Sequence, residues 1–343
     1  MKYILMMLTV LLMGACDKKE GAAGSKSEGT AGADVKELTV YCGRKLEYAT
    51  PLFQKFEEKT GIKIIVKDGK TGALANMLLT EKENSPADIF FAQDSSNLGA
   101  LSAAGVIEKL PDSILNKVDS RFRSPKGDWA GTSGRARVLV YNKDLVKAEE
   151  LPKSMYDLTD PKWKGKIGWA PTNGSFQSHV TAMLQTEGEA KTVQWLKDMK
   201  ANDAQERSSN TPIVKDVASG KLAAGLVNHY YLYKIRKDTK EAEKAENHFF
   251  ADGDVGMFVN ISGVALVKAG KKKEAAKKFI EFLLSKEAQE IFKTVNFEYP
   301  LAAGVEAYEA LKPLKEINPV KCDLGSLDNI EATQKALEAA GCL

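Results

Sequence analysis

The chain has 343 residues, which predicts two lobes or one large α/β unit, because single domains run to about 150 residues. Its composition, 43% hydrophobic and 28% charged, excludes a wholly disordered chain and a disulfide-dense miniprotein. The 49 Lys and Arg exceed the 46 Asp and Glu by only three charges, so bulk charge implies neither a nucleic-acid groove nor a polybasic membrane surface.

The N-terminus carries an export signal. Lys2 precedes an apolar run from Ile4 to Met13, which is about half as long as a bilayer-spanning helix and therefore predicts a signal peptide over residues 1–15. The sequence Met13-Gly14-Ala15-Cys16 resembles a bacterial lipobox, in which Cys16 becomes lipidated. Residues 16–36 are rich in Gly, Ala, Ser, Lys and Glu and predict a flexible tether. We therefore expect an extracytoplasmic protein, held on the periplasmic or cell-surface face of a bacterial membrane through this lipid only.

Export permits disulfides, and three cysteines remain after lipidation of the first. Cys322 and Cys342 both lie in the C-terminal tail, so the simplest pairing is a bridge between them. Cys42 is then expected to be a free, buried thiol.

Short apolar strands alternate with amphipathic helices along the first part of the body. Strands are predicted at Leu38–Tyr41, Ile62–Val66 and Asp88–Phe91, with helices at Tyr48–Thr60 and Ala73–Lys82 between them. Strict alternation predicts an α/β fold with a largely parallel sheet, whose ligands lie in the loops beyond the carboxyl ends of the strands.

A second series of strands follows Gly134. Two extended segments, near Ser133–Tyr141 and Phe250–Val267, are predicted to cross between the series, and such a double crossing permits hinge closure around a ligand. We expect two lobes with a cleft between them: residues 37–134 with 251–300 in lobe 1, and residues 135–250 with 301–343 in lobe 2. Further strands are predicted at Ile167–Trp169, Ala223–Val227 and Ser262–Val267, and a helix at Lys272–Leu284.

No motif of nucleophilic or phosphate chemistry is present. The sequence lacks a Gly-x-Ser-x-Gly elbow, a phosphate loop and a His-Glu-x-x-His zinc motif, so we do not expect an enzyme. The four Cys and three His are spread along the chain, and any metal site would have to be built mostly from oxygen.

Tyr230 and Tyr231 are candidate oxygen ligands. They follow the strand Ala223–Val227 and precede a helical stretch over Leu232–Lys237, and a bend at that corner lets both rings face one ligand. Phenolate is a hard, basic donor that suits ferric iron, and its use requires the loss of a proton from each tyrosine. For the tyrosine pair taken alone, the alternative interpretation is that the two rings only pack and bind no ligand.

Arginines near the same cleft indicate an anion. Arg44 lies in the first ligand-side loop, while Arg135 and Arg137 lie at the start of the first crossing. Guanidinium groups bind oxyanions, and Asn173-Gly174-Ser175 opens a helix whose backbone amides suit the same kind of group. The cleft is thus expected to bind an anion, or a cation together with an anion.

Several segments resemble the periplasmic ferric-iron-binding proteins of bacterial ABC importers, which have the type II periplasmic-binding-protein fold. The stretch LVNHYYLY, residues 226–233, is the most specific of them. The resemblance implies that Tyr230 and Tyr231 bind Fe(III), with a third tyrosine at Tyr141. It also implies an anion at Asn173, Gly174 and Ser175, with Asn210 and Asn228 as polar partners. The remaining segments are Leu38–Arg44, Ser85–Asp94, Ser133–Asn142, Leu158–Gln177 and Asn296–Val305.

Two departures from the family pattern select a subgroup. Lys45 stands where some relatives have a His ligand, and Gln93 where they have a Glu. The resemblance therefore implies three phenolates with a synergistic anion, carbonate, held by Arg44 and Arg135. Tyr48 is a further candidate phenolate, although its place inside the first predicted helix favours packing.

The expected function is that of a monomeric, lipid-anchored solute-binding protein that delivers Fe(III) to an ABC importer permease and does not bind nucleic acid. One alternative keeps the fold and binds a free oxyanion or small organic acid without metal. An extracytoplasmic enzyme or adhesin on the same scaffold is the other.

Overall fold

The computed structural model of the protein describes residues 35–327 and 329–343. The predicted signal peptide (1–15), the lipidation site Cys16 and residues 16–34 of the predicted tether lie outside the described residues. Within the described ranges, no helix is both long enough and apolar enough to cross a bilayer.

Strands and helices alternate along the chain, as the sequence predicts. The strands are β1 (Glu37–Cys42), β2 (Lys63–Asp68), β3 (Ile89–Ala92), β4 (Ile107–Glu108), β5 (Ala130–Asn142), β6 (Ile167–Trp169), β7 (Gln205–Glu206), β8 (Ala224–Asn228), β9 (Ala245–His248), β10 (Val259–Val267) and β11 (Tyr299–Pro300). The helices are α1 (Leu46–Thr60), α2 (Thr71–Glu81), α3 (Ser95–Ala104), α4 (Asp112–Leu115), α5 (Gly174–Glu187), α6 (Glu189–Ala201), α7 (Asn210–Ala218), α8 (Tyr230–Asp238), α9 (Lys273–Leu283), α10 (Lys286–Thr294) and α11 (Ile330–Ala339).

The strands form two groups that share β5. The first group has the order β2-β1-β3-β10-β5, and the second has the order β5-β8-β6-β7. The outer strands pair in parallel, β1 with β2 and β3, and β6 with β7 and β8. The central strands β10 and β5 run antiparallel to their neighbours, so the sheet is mixed where a largely parallel one was expected.

Strand β5 passes from one group to the other. Residues up to Ala136 pair with β10, and residues from Arg137 onward pair with β8. The chain returns between the end of β9 at His248 and the start of β10 at Val259. Both predicted crossings therefore run between the two groups, and the predicted two-lobe α/β fold is confirmed.

Each group of strands has its own hydrophobic core. In the first, the ring centroids of Phe56 and Phe279 lie 5.0 Å apart, edge to face. In the second, Trp169 packs edge to face on Trp195 at 6.4 Å. Aromatic packing of this kind contributes to stability beyond the area that it buries. Leu301, Leu311 and Ile317 belong to the first core, while Leu337 and Ala340 of the C-terminal segment belong to the second. We therefore propose that residues 301–317 are part of lobe 1, whereas the sequence predicts lobe 2.

The three described cysteines are all unpaired. The predicted bridge between Cys322 and Cys342 is wrong, because the two side chains pack in separate hydrophobic clusters. Cys42 is a free and fully buried thiol, as predicted.

His179 of α5 is buried against the segment that returns to lobe 1. Its Nε2–H donates to the carbonyl oxygen of Val255 at 2.7 Å, and its ring stacks on Phe258 with centroids 5.5 Å apart. Burial, together with the positive charge of Arg137, lowers the pKa of His179 to about 3. The imidazole is therefore neutral in the folded protein.

Acidification should destabilise the fold through His179. Below pH 6.5 the unfolded chain binds a proton at this residue and the folded chain does not, so the free energy of unfolding should fall by about 2 kcal/mol between pH 6.5 and 5. Urea unfolding at these two pH values measures the change. His179→Gln keeps a donor for Val255 but does not titrate, and its pH dependence should be flatter by that amount; an equal slope in both proteins contradicts the assignment.

Candidate metal and anion site

The tyrosine pair lies at a strand-to-helix corner. Strand β8 ends at Asn228 and α8 begins at Tyr230, so both tyrosines are in the first turn of the helix, which starts two residues earlier than predicted. Their rings stack with centroids 4.3 Å apart and an interplanar angle of 26°. Tyr230 is buried and Tyr231 is partly exposed. The two phenol rings therefore lie on the same side of the strand-to-helix corner.

His229 fixes this corner to the hinge. Its Nδ1 accepts a hydrogen bond from the backbone N–H of Ala136 at 3.1 Å, so Nε2 carries the proton and donates it to the carbonyl oxygen of Phe297 at 2.8 Å. Phe297 has a φ of 57°, which is a strained conformation for an aromatic residue. Burial lowers the pKa of His229 to about 4, consistent with a neutral ring.

Burial raises the pKa of Tyr230 well above its usual value, and the neighbouring phenols of Tyr231 and Tyr48 raise it further. The positive charge of Arg135 opposes this effect. The Tyr230 phenol is therefore neutral at physiological pH, and only a strong Lewis acid displaces its proton.

A polar group from lobe 2 surrounds the guanidinium of Arg137. Its Nη1 donates to the Oδ1 atoms of Asn210 and Asn228, both at 3.2 Å, and to the Ser175 hydroxyl at 3.4 Å. Asn173 caps α5 by accepting from the Ser175 backbone N–H at 3.1 Å, and it also accepts from the Asn210 amide at 3.2 Å.

The start of α5 opens onto free space. A Cβ added at Gly174, the first residue of the helix, would meet no atom within 4 Å. A helix N-terminus that presents its backbone amides in this way suits an anion. The structure therefore brings together all five residues predicted for the anion in lobe 2.

Arg137 is a buried cation without a countercharge. It is fully buried, its Nε and Nη2 atoms have no hydrogen-bond partner, and none of the ion pairs between described residues includes it. Burial lowers its pKa to about 10, which leaves it protonated at neutral pH, and the adjacent Tyr230 and Tyr231 favour the charged form. A buried guanidinium with free donors is matched by an oxyanion.

The family resemblance implied an anion held by Arg44 and Arg135, and Arg137 was expected only to lie near the same cleft. The signal that could have identified Arg137 is the alternation of β5, which places it on the same face as Arg135.

Arg44 is engaged elsewhere. Its Nη2 forms a buried ion pair with Glu298 at 2.8 Å, and its Nη1 donates to the hydroxyls of Ser133, at 3.2 Å, and Ser262. Both Nη groups are thus occupied, and the predicted anion role of Arg44 is not supported. The cause is a carboxylate that lies far along the chain, which no local sequence pattern reveals.

Arg135 remains near the tyrosines. Its Nη2 donates to the carbonyl oxygen of Gln93, and its buried Nε has no partner. The side-chain Oε1 of Gln93 is also buried without a partner, whereas Lys45 is exposed.

Tyr141 does not lie beside Arg137 and the tyrosine pair. On β5 it pairs with Ala224, whereas Arg137 pairs with Asn228, and four residues of strand separate the two by about 13 Å. Its ring packs on the core of lobe 2. Tyr48 of α1 lies closer: its ring is buried and meets that of Tyr230 edge to face, with centroids 6.2 Å apart. In residues 35–327 and 329–343, no group of three His, Cys, Asp or Glu side chains could hold a metal ion.

Comparisons with known proteins place this site in context. Residues 84–322 match the family model described as bacterial extracellular solute-binding protein. The chain is 34% identical to the major ferric iron-binding protein of Neisseria meningitidis serogroup B, over 89% of this chain and 93% of the relative. It is 33% identical to the Fe(3+)-binding periplasmic protein of Serratia marcescens, over 83% and 84%.

Solved structures agree with these relatives. Iron-bound HitA from Pseudomonas aeruginosa superposes with a TM-score of 0.81 at 33% identity, covering 89% of this chain and 99% of that one. The Trichodesmium protein IdiA (FutA) in complex with iron and citrate ligands gives a TM-score of 0.78, with the same identity and coverage. These similarities confirm the predicted type II periplasmic-binding-protein fold.

The lone buried charge of Arg137 predicts that anions stabilise the metal-free protein. Bicarbonate or phosphate at about 100 times its dissociation constant should raise the free energy of unfolding by about 2.7 kcal/mol. Thermal melts over an anion titration measure this effect.

Arg137→Met should abolish the anion dependence and leave the anion-free stability unchanged or higher, because an uncompensated buried charge is replaced by an apolar side chain. Arg121→Met, at an exposed arginine paired with Asp119, is the matched control and should respond to anions like the unaltered protein. Equal anion stabilisation in the Arg137 variant would place the anion elsewhere.

Proposed function

Because this chain belongs to the bacterial extracellular solute-binding proteins, and among them to the periplasmic ferric-iron-binding proteins, we propose that it captures Fe(III) through the phenolates of Tyr230 and Tyr231. The observation that carries the proposal is the stacked tyrosine pair beside the uncompensated Arg137. Hard phenolate oxygens suit a hard trivalent cation.

We propose that a synergistic anion, carbonate, completes the iron site from the side of Arg137. The Nε and Nη2 groups of this arginine are free to donate to it. Asn173, Ser175, Asn210 and Asn228 supply further polar contacts, and the amides at the start of α5 stabilise negative charge. Arg135 lies near enough to Tyr230 to lower its pKa and so favours the same phenolate.

We propose that the protein works as a monomer and hands its iron to the permease of an ABC importer. The export signal and Cys16 support attachment to the outer face of a bacterial membrane through lipid. The two-lobe fold with its double crossing supports capture by hinge closure.

A second candidate function is the binding of a free oxyanion or small organic acid without iron. The unpartnered donors of Arg137 favour it, since they suit an anion whether or not a metal is present. Calorimetry on the metal-free protein separates the two functions: tight anion binding that iron does not strengthen supports this candidate.

Ferric iron should colour the protein. Ferric citrate with bicarbonate should produce a visible phenolate-to-iron charge-transfer band, and Tyr230→Phe or Tyr231→Phe should weaken iron binding by at least about a hundredfold through loss of a phenolate. Tyr156→Phe, at a partly buried tyrosine that packs on the core of lobe 2 and whose hydroxyl donates to Glu187, is the matched control. Unchanged band intensity and iron affinity in both variants would contradict the assignment.

Iron affinity should fall steeply with pH. Tyr230 and Tyr231 each give up one proton when iron binds, so the apparent affinity at fixed free Fe(III) should fall by at least about a hundredfold for each unit of acidification. The raised pKa of Tyr230 keeps that phenol protonated across the whole range, so the slope should persist through neutral pH. Titrations against a chelator buffer between about pH 7 and 5 measure the slope. An affinity that is independent of pH would contradict phenolate ligation.

A further inference from the structure

A third phenol meets the tyrosine pair from the opposite lobe. Tyr48 lies in the first turn of α1, in lobe 1, while Tyr230 and Tyr231 begin α8 in lobe 2. The Tyr48 ring is 5% exposed, and it stands at 81° to the Tyr230 ring with centroids 6.2 Å apart. The three phenols therefore form one cluster across the cleft.

The hydroxyl of Tyr48 has a cationic partner that suits its ionised form. Nζ of Lys234 donates to the Tyr48 hydroxyl oxygen at 2.9 Å and lies 4.1 Å from the ring centroid. Lys234 is on α8, one turn after the tyrosine pair, and its charge is balanced by Glu47 at 3.6 Å. Burial, and the hydrogen bond and negative charge of Glu47, raise the pKa of the Tyr48 phenol, so it is neutral until a bound metal displaces its proton. Once the proton has left, the ammonium group of Lys234 is placed to donate to the phenolate oxygen.

The charges of the site call for a third anionic ligand. Fe(III) with two phenolates, a carbonate dianion and the guanidinium groups of Arg135 and Arg137 leaves one positive charge uncompensated in a buried cluster. Lys234 and Arg44 do not alter this balance, because each has its own carboxylate, Glu47 and Glu298. Uncompensated buried charge is strongly unfavourable, and one more phenolate removes it.

We propose that Tyr48 is the third phenolate ligand of the captured ferric iron and that Lys234 is the hydrogen-bond donor to its bound oxygen. This inference rests on the proposed capture of iron by Tyr230 and Tyr231. The Tyr48 hydroxyl loses its proton to solvent as the iron–oxygen bond forms, and Lys234 keeps its own proton. The ligand set then comes from both lobes, and the iron itself holds them together.

Tyr48→Phe and Tyr141→Phe are a matched pair, because each removes one hydroxyl from one of the two candidate third ligands. Both variants and the unaltered protein are loaded with ferric citrate in bicarbonate buffer. The charge-transfer band is recorded, and the half-time of iron removal by EDTA is measured. A thermal melt of each metal-free variant establishes that it is folded.

Tyr48→Phe should keep a band from the remaining phenolates, but its intensity should fall by about a third, and the band should move to longer wavelength because the ion becomes a stronger electron acceptor. Iron removal should be at least about tenfold faster. Tyr141→Phe should match the unaltered protein in all three measurements.

Lys234→Met separates ligation from structural support. It removes the contact between α8 and the Tyr48 hydroxyl but leaves the phenol, so the band intensity should be retained and only its position should move slightly. If this variant reproduces the whole effect of Tyr48→Phe, if Tyr48→Phe matches the unaltered protein, or if Tyr141→Phe shows the losses, the inference is overturned. Absence of any band in the unaltered protein instead overturns the proposed iron function.

Discussion

Strand β5 carries the hydrogen bonds of both lobes along a single run of 13 residues. Because side chains alternate along a strand, the residues Ser133, Arg135 and Arg137 share one face. That face meets Arg44 of lobe 1 at one end, and at the other it meets the asparagines of lobe 2. The strand that connects the lobes is therefore also the strand that supplies the cleft with positive charge.

Polar atoms without partners are concentrated at this cleft. Among the described residues, nine buried side-chain nitrogen or oxygen atoms lack a hydrogen-bond partner, and five of them belong to Arg44, Gln93, Arg135 and Arg137. The other four belong to Trp163, Trp169, Asn247 and Asn296. Buried polar groups in folded proteins generally have hydrogen-bond partners. Because hydrogen-bond donors are left free at this cleft, a ligand that accepts from them binds there favourably. The Arg44–Glu298 pair illustrates the opposite case, a buried cation that is already neutralised.

The local sequence pattern predicted the fold well, because the periodic spacing of apolar residues indicates strands and helices. The alternation of strands and helices, the corner at Tyr230 and the opening of α5 at Gly174 all follow from a few neighbouring residues. The mixed central sheet did not follow, because strand direction depends on pairing between distant segments such as β5 and β10. The same limit explains the cysteines, since their separation in space is not encoded in their spacing along the tail.

The sequence grouped the candidate site residues that are adjacent in the chain, but it did not reveal contacts between residues that are far apart in the chain. Tyr230 and Tyr231 are neighbours, and Asn173, Gly174 and Ser175 form one turn. Arg44 was expected to hold the anion because no local pattern reveals its partner Glu298, which lies 254 positions away. Tyr141 was expected as the third tyrosine ligand and Tyr48 as a packing residue. The sequence does not show that the Tyr48 ring meets that of Tyr230, or that Tyr141 packs on the core of lobe 2.

The imidazole of His229 makes the hinge strand and the tyrosine pair one mechanical element. It is held at Nδ1 by Ala136, where β5 changes lobes, and at Nε2 by Phe297, and the next residue along the chain is the first tyrosine. These hydrogen bonds couple the position of the tyrosine pair to that of β5. The two phenols of the pair thus keep a fixed geometry relative to the strand that connects the lobes, whatever the distance between the lobes.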